Sequence, residues 1–191
     1  GSPVTDADIL ANEIILDGIQ KAFPYDGIVS EELDTVEGNR VWYIDPIDGT
    51  KGFIGHSDQF AIHIALAEKK PIMGLIYKPT TGEFYQSRKG EGAFRISPNG
   101  AKRKLKVNKD RDNLAIVVNA TFLRNERELT DRLNPERVYV GGGLGLRAMR
   151  VAEGIADAYL KSNKMTGGTW DICAPQAIVE EAGGFVSYTD N

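Results

Sequence analysis

The chain has 191 residues, of which 41% are apolar and 26% charged, the balance of a folded globular protein rather than a disordered one. Its net charge of −4 does not favour nucleic acid as a partner. The single cysteine, Cys173, excludes an internal disulfide and suits a cytoplasmic setting, and no apolar run nears the ~20 residues that span a bilayer.

Thr5 to Phe23 reads as a helix. Thr5 or Asp6 can cap it, and Ile9, Leu10, Ile14, Ile15 and Ile19 recur at helical spacing. Pro24 and Gly27 break it. Ile28-Val29 leads into the acidic pair Glu31-Glu32, and 34–40 is a polar loop. Val41 to Ile44 is a short strand ending at Asp45-Pro46. Gln59 to Ala67 alternates, with Phe60, Ile62, Ile64 and Leu66 on one face. Strands over 72–77, 83–88 and 93–96, separated by Gly-containing turns, complete an antiparallel meander.

The polar, basic stretch 97–113 reads as a boundary between subdomains. An α+β part over 1–112 then gives way to an α/β part over 113–191. Expected there are a strand over 114–118, a helix from Asn125 to Leu133 and a strand over 138–140. Gly141-Gly142-Gly143 opens a helix through Ala152. A strand over 156–160, a helix from Trp170 to Ala182 stopped by Gly183-Gly184, and a final strand from Phe185 to Tyr188 follow.

The most informative segment is Asp45-Pro46-Ile47-Asp48-Gly49-Thr50-Lys51, directly after an apolar strand. Two carboxylates three residues apart can point at a shared volume. Hard cations such as Mg²⁺ take oxygen ligands, usually one or two carboxylates plus water and substrate phosphate. Gly49 leaves room for a phosphate to approach the backbone, and Thr50 offers a hydroxyl to orient a water. Turn chemistry also accounts for Asp-Pro-x-Asp-Gly. Read singly, Glu31-Glu32 is a solvated acidic loop, and Asp171 is a favourable first-turn residue of its helix.

The combination is more specific. Two blocks, Trp42-Tyr43-Ile44-Asp45-Pro46-Ile47-Asp48-Gly49-Thr50-Lys51-Gly52-Phe53 and Trp170-Asp171-Ile172-Cys173-Ala174 through Gly184, lie far apart with Glu31-Glu32 before them. In this order the chain resembles the inositol monophosphatase superfamily of lithium-sensitive, magnesium-dependent phosphatases. The resemblance covers nearly the whole chain and includes Arg88 to Phe94 and Val151 to Tyr159. It implies a layered αβαβα sandwich, here truncated at both ends, and a homodimer.

The resemblance also implies roles. Glu31, Asp45 and the Ile47 carbonyl would bind one Mg²⁺, and Asp45, Asp48 and Asp171 a second, with two or three ions in all. Thr50, partnered by Asp8 of the Val4-Thr5-Asp6-Ala7-Asp8 segment, and Glu31 would handle the attacking water, with no phosphoenzyme. Gly49 and Thr50 would hold phosphate oxygens. Lys51 resembles the 3'(2'),5'-bisphosphate nucleotidase branch, where a second phosphate calls for a counter-charge. That makes adenosine 3',5'-bisphosphate, hydrolysed to AMP, the expected substrate. Inositol, sugar or histidinol monophosphates stay open as alternatives, and so does a catalytically silent binding protein on the same scaffold.

Gly141 to Arg147 departs from the family pattern: a Gly-Ser followed by Lys is common there, and Arg147 stands where the lysine would bind substrate. Neither His56 nor His63 has metal-ligand spacing. The basic residues Lys102, Arg103, Lys104, Lys106, Lys109 and Arg111 lack interleaved aromatics for base stacking, so they read as a solvated run.

Overall fold

A computed structural model describes residues 5–109, 112–162 and 167–187; Val4, Arg111 and Tyr188, named above, lie outside them. The first helix, α1 (Asp6–Ala22), starts on a capping box. The Asp8 N–H donates to Thr5 Oγ1 at 3.4 Å, and the Thr5 N–H donates back to the Asp8 carboxylate at 2.8 Å.

The face of α1 turned inward is not the one its apolar residues suggest. Asp8, Asn12, Leu16 and Ile19 are buried, whereas Ile9, Leu10 and Ile14 are 48%, 58% and 66% exposed. Asn12 tolerates burial because Ser30 Oγ donates to its Oδ1 at 2.7 Å. Polar pairing, not hydrophobicity alone, sets the rotation of this helix.

Eight strands form the large sheet: β1 (Gly27–Ser30), β2 (Leu33–Val36), β3 (Val41–Asp48), β4 (Ala61–Ala67), β5 (Pro71–Lys78), β6 (Glu83–Arg88), β7 (Gly92–Ile96) and β8 (Lys102–Lys104). Their order is β2-β1-β3-β4-β5-β6-β7-β8. The β1–β3 pair is parallel and every other neighbouring pair antiparallel. A short helix, α2 (Thr50–Ile54), links β3 to β4. The basic stretch expected to be a boundary is partly sheet: Lys102 to Lys104 form its edge, and Leu105 behind them is buried. Charged residues suit an edge strand, since they discourage pairing with another chain.

The second half begins with β9 (Ala115–Val118), then α3 (Ala120–Asn125) and α4 (Arg127–Leu133). The one helix expected from Asn125 to Leu133 is thus two, starting earlier and breaking at Glu126, whose φ of −114° and ψ of 37° are not helical. Next come β10 (Arg137–Val140), α5 (Leu144–Ala152), β11 (Ala158–Tyr159) and α6 (Thr169–Glu181). The three strands make a parallel sheet in the order β10-β9-β11, and all four residues of β9 are buried. Residues 185–187 form no strand, and Phe185 is 80% exposed.

Three apolar clusters hold the layers together. Leu16 and Ile19 of α1 pack with Ile28, Trp42 and Ile44 on one face of the large sheet. On the other face, Ala61, Ala65, Ile76 and Tyr85 pack with Met149 of α5 and with Ala174 and Ile178 of α6. Phe122 of α3 packs with Ile116 and Val118 of β9. The layering is therefore helix, mixed sheet, helix pair, parallel sheet, helix, and the two halves of the chain share one core. A fully buried Ile44 or Ile76 contributes about 2 kcal/mol to holding these layers.

Helix α6 packs directly onto the large sheet at Gly74. A Cβ at Gly74 of β5 would sit 2.6 Å from the Ala174 carbonyl oxygen and 2.9 Å from Ala177 Cβ. Glycine at that position is what lets the helix down onto the strand.

Candidate metal centre

β3 does not stop at Pro46, as its sequence suggests, but continues to Asp48. Along it, Asp45 pairs with His63 and Asp48 with Ala61, so three steps of β3 face two of β4. That is a one-residue bulge. In a regular strand two residues three apart would point to opposite faces; the extra residue resets the alternation and brings both carboxylates to one side. Pro46, with no N–H to give the ladder, sits inside this irregularity.

A carboxylate oxygen from each of Asp45, Asp48 and Asp171 lies within 4.8 Å of the other two. Asp45 is 1% exposed; its Oδ1 accepts the Ile47 N–H at 3.0 Å, and its Oδ2 has no partner among the described residues. Asp48 reaches across to the start of α5, where its oxygens accept the N–H groups of Leu144 at 2.9 Å and Gly145 at 2.7 Å. Asp171 is in the first turn of α6 and accepts the Gly168 N–H at 2.7 Å, so it caps its helix and joins the acidic group at once.

The other residues implied by the resemblance have varied surroundings. Half-buried Glu31 follows β1 and is close enough to feel the charges of Asp171, Asp8 and Asp48. Thr50 is buried, and its hydroxyl donates to the Ile47 carbonyl at 3.2 Å rather than to Asp8, which is taken up with Thr5. Gly49 has a φ of +92°, and a Cβ there would be 2.6 Å from the Gln59 carbonyl oxygen, so only glycine fits comfortably. Lys51 is exposed on the first turn of α2. Arg147 is buried on α5; its Nη1 donates to the Gly142 carbonyl, and its guanidinium lies over the Tyr159 ring at 5.0 Å.

Two residues near the site carry no spacing signal. His63 is fully buried, with Nε2 at 3.2 Å from Asp48 Oδ2 and Nδ1 at 3.9 Å from Asp45 Oδ2. Gln59 ties down the glycine loop: its Oε1 accepts the Gly142 N–H at 2.8 Å and its backbone carbonyl the Gly143 N–H at 3.1 Å. Strand register is the signal that exposes His63, since it sits opposite Asp45 once β3 and β4 are paired.

Burial and mutual repulsion make the acidic group hard to ionise. Desolvation first, then the charges of Asp171, Glu32, Asp8 and Asp48, push Glu31 up to about 7. Desolvation, then Asp48 and Glu31, hold Asp45 well above the usual carboxylate range. Asp171 is raised by burial and by Asp48. Asp48 alone goes down: burial opposes ionisation, but His63 and the N–H groups of Gly145 and Leu144 outweigh it. A cation would neutralise what the protein leaves unbalanced. The donor set is all carboxylate oxygen, and Asp45 Oδ2 is a buried acceptor with no partner among the described residues, which is the chemistry a hard divalent cation prefers.

Comparison with known proteins finds phosphatases of one family. The chain is 33% identical to the 3'(2'),5'-bisphosphate nucleotidase CysQ of Salmonella typhimurium, over 97% of this chain and 76% of the relative. It is 39% identical to a histidinol-phosphatase of Chlorobaculum parvum, over 96% of this chain and 71% of the relative. The extragenic suppressor protein suhB of Bartonella henselae superposes with a TM-score of 0.83 at 29% identity, covering 97% of this chain and 74% of that one. The sequence profile of the inositol monophosphatase family matches residues 1–191. The chain belongs to the inositol monophosphatase family and is a metal-dependent phosphomonoester hydrolase.

Proposed function

We propose that the chain hydrolyses a 3'(2'),5'-bisphosphate nucleotide, releasing inorganic phosphate and a nucleoside 5'-monophosphate, with Mg²⁺ as its cation. The observation that carries the substrate choice is Lys51, an exposed cation two residues beyond Gly49 and three beyond Asp48. A substrate with two phosphates needs one charge partner beyond the metal centre, and Lys51 can supply it.

Glu31, Asp45, the Ile47 carbonyl, Asp48 and Asp171 would hold two or three ions. Bound there, Mg²⁺ supplies Lewis-acid activation of water and neutralises phosphate charge. Thr50 donates its hydroxyl hydrogen bond to the Ile47 carbonyl, so its oxygen is left as an acceptor that can orient a water O–H. Glu31, beside the same carboxylates, would also handle the proton of the attacking water. Asp8 supports this side of the site by its charge on Glu31. The backbone at Gly49 and Thr50 would receive phosphate oxygens. Buried Arg147 would support the leaving group's side through the Gly142 loop rather than as a free surface cation. The water oxygen forms the new bond to phosphorus, and the ester oxygen leaves as a hydroxyl after taking up a proton.

A phosphate-release panel decides the substrate. Adenosine 3',5'-bisphosphate should give the highest kcat/KM, with lithium inhibiting; equal or better turnover of histidinol phosphate or inositol 1-phosphate overturns the choice. Histidinol phosphate is the second reading, because the Chlorobaculum relative has the higher identity of the two named above. We also propose a homodimer, on the exposed Ile9, Leu10 and Ile14 of α1. Light scattering at a monomer mass would remove it.

A further inference from the structure

His63 stands at the junction of three pieces of the site. It is on β4 opposite Asp45, its Nε2 is 3.2 Å from Asp48 Oδ2, and it presses on the start of α5. A Cβ at Gly145 would lie 2.1 Å from Nε2 and 2.6 Å from Cε1 of the ring. Both are atoms of a side chain with no exposure and little freedom to move aside. Gly145 thus makes the room that the ring occupies, and its own N–H donates to the same Asp48 oxygen that the ring faces.

The imidazole is unsuited to be a ligand itself, since Mg²⁺ takes oxygen in preference to nitrogen. Nor is it spent elsewhere. Neither ring nitrogen has an aligned hydrogen-bond partner among the described residues, even though Nε2 is within reach of Asp48. A buried polar side chain in this condition costs stability unless the site uses it. Groups beside a metal-binding carboxylate fix its orientation, and losing one typically weakens metal binding 10- to 100-fold.

We propose that His63 is a positioning residue of the metal centre: its Nε2 faces Asp48 Oδ2 at 3.2 Å and holds that carboxylate in its ligand pose, and Gly145 makes room for the ring. This rests on the reading of Asp45, Asp48 and Asp171 as metal ligands. His63 works together with the two N–H groups of α5: Leu144 and Gly145 anchor Asp48 from the helix side, and the ring anchors it from the sheet side. The metal affinity is thereby tied to the packing of α5 against β4.

The test is calorimetric titration of the metal-free chain with MgCl₂, alongside thermal melts of the same samples. His63→Val should weaken Mg²⁺ binding about tenfold or more, with the metal-free Tm within about 4 °C of the parent. His63→Gln, whose amide nitrogen reaches the position of Nε2, keeps an N–H donor and should recover affinity to within about threefold of the parent. Gly145→Ala should weaken binding like His63→Val, because it displaces the ring.

A folded His63→Val that binds Mg²⁺ like the parent overturns the proposal. If His63→Val gives no cooperative melt, Gly145→Ala decides: a folded Gly145→Ala that binds Mg²⁺ like the parent overturns it, and one weakened about tenfold supports it. A parent chain that binds no Mg²⁺ overturns the metal centre and this inference together. A parent that binds, with unaffected variants, overturns this inference alone.

Discussion

Asp48 and Gly145 join the two halves of the chain: a carboxylate oxygen at the end of β3 accepts the Gly145 N–H of α5 at 2.7 Å, across 97 residues of sequence. Asp45, three residues earlier, makes no comparable bond outside its own turn. Its one aligned donor among the described residues is the Ile47 N–H. The two aspartates therefore respond oppositely to neutralisation. Asp45→Asn should raise the Tm of the metal-free protein in EDTA at pH 7.5, since it removes a desolvated, repelled charge. Asp48→Asn should lower it, by about 2 kcal/mol or about 4–8 °C, since it weakens bonds to a charged acceptor. Both should cut kcat/KM about a thousandfold or more. Equal Tm shifts of one sign in the two variants would refute the assignment.

Stability without metal should fall as pH rises through the window set by Glu31. Its ordinary value is 4.5 and its folded value about 7, so the folded chain binds more protons than the unfolded chain between those limits. Asp45 and Asp171 are raised as well and act in the same direction. Asp48 is lowered, so its contribution is present above its ordinary value of 3.8 and is lost only as pH falls below it. Saturating Mg²⁺ should cancel the decline, and its stabilising effect should grow from pH 5 to pH 8 because binding requires ionised carboxylates. Melts in EDTA and in excess MgCl₂ across that range check this. A flat metal-free profile would count against the raised Glu31.

Lys51→Ala should raise KM for adenosine 3',5'-bisphosphate about tenfold and leave inositol 1-phosphate hydrolysis near the parent value, as expected for one lost charge-assisted contact. Parallel losses on both substrates would make Lys51 part of the general phosphate site instead.

Gln59→Ala removes the acceptor of the Gly142 N–H but keeps the backbone bond to Gly143. The expected cost is about 1 kcal/mol, or about 2–4 °C in Tm, with a larger proportional drop in kcat/KM as the glycine loop loosens. Unchanged kinetics alongside a lowered Tm would confine Gln59 to a structural role.

Much of this was legible in the sequence, in uneven ways. The Asp45 to Lys51 block and the Trp170-Asp171 block gave the family because their residues are local and unusual. Most strand positions followed from alternation. The parity of Asp45 and Asp48 was not legible, because a turn and a bulge use the same residues and only pairing with β4 distinguishes them. His63 gave no signal for a similar reason: its partners come from register, not spacing. The inward face of α1 was misread because the Asn12–Ser30 bond spans 18 residues that composition cannot see. Phe185 and Val186 have strand-like composition, but nothing pairs with them among the described residues.

The contact at Gly74 bears on which ion the site accepts. Asp171 rides on α6, whereas Asp45 and Asp48 are fixed to the sheet, so the height of that helix above β5 sets the span between the three proposed ligands. Mg²⁺ needs oxygens at about 2.0–2.1 Å and tolerates little error, whereas Ca²⁺ accepts about 2.3–2.6 Å. A methyl group at Gly74 would act as a shim, lifting Asp171 and shifting preference from the smaller ion to the larger. Ion selectivity would then be gauged by a residue that touches no metal, and competitive Mg²⁺ and Ca²⁺ titrations of Gly74→Ala would measure it.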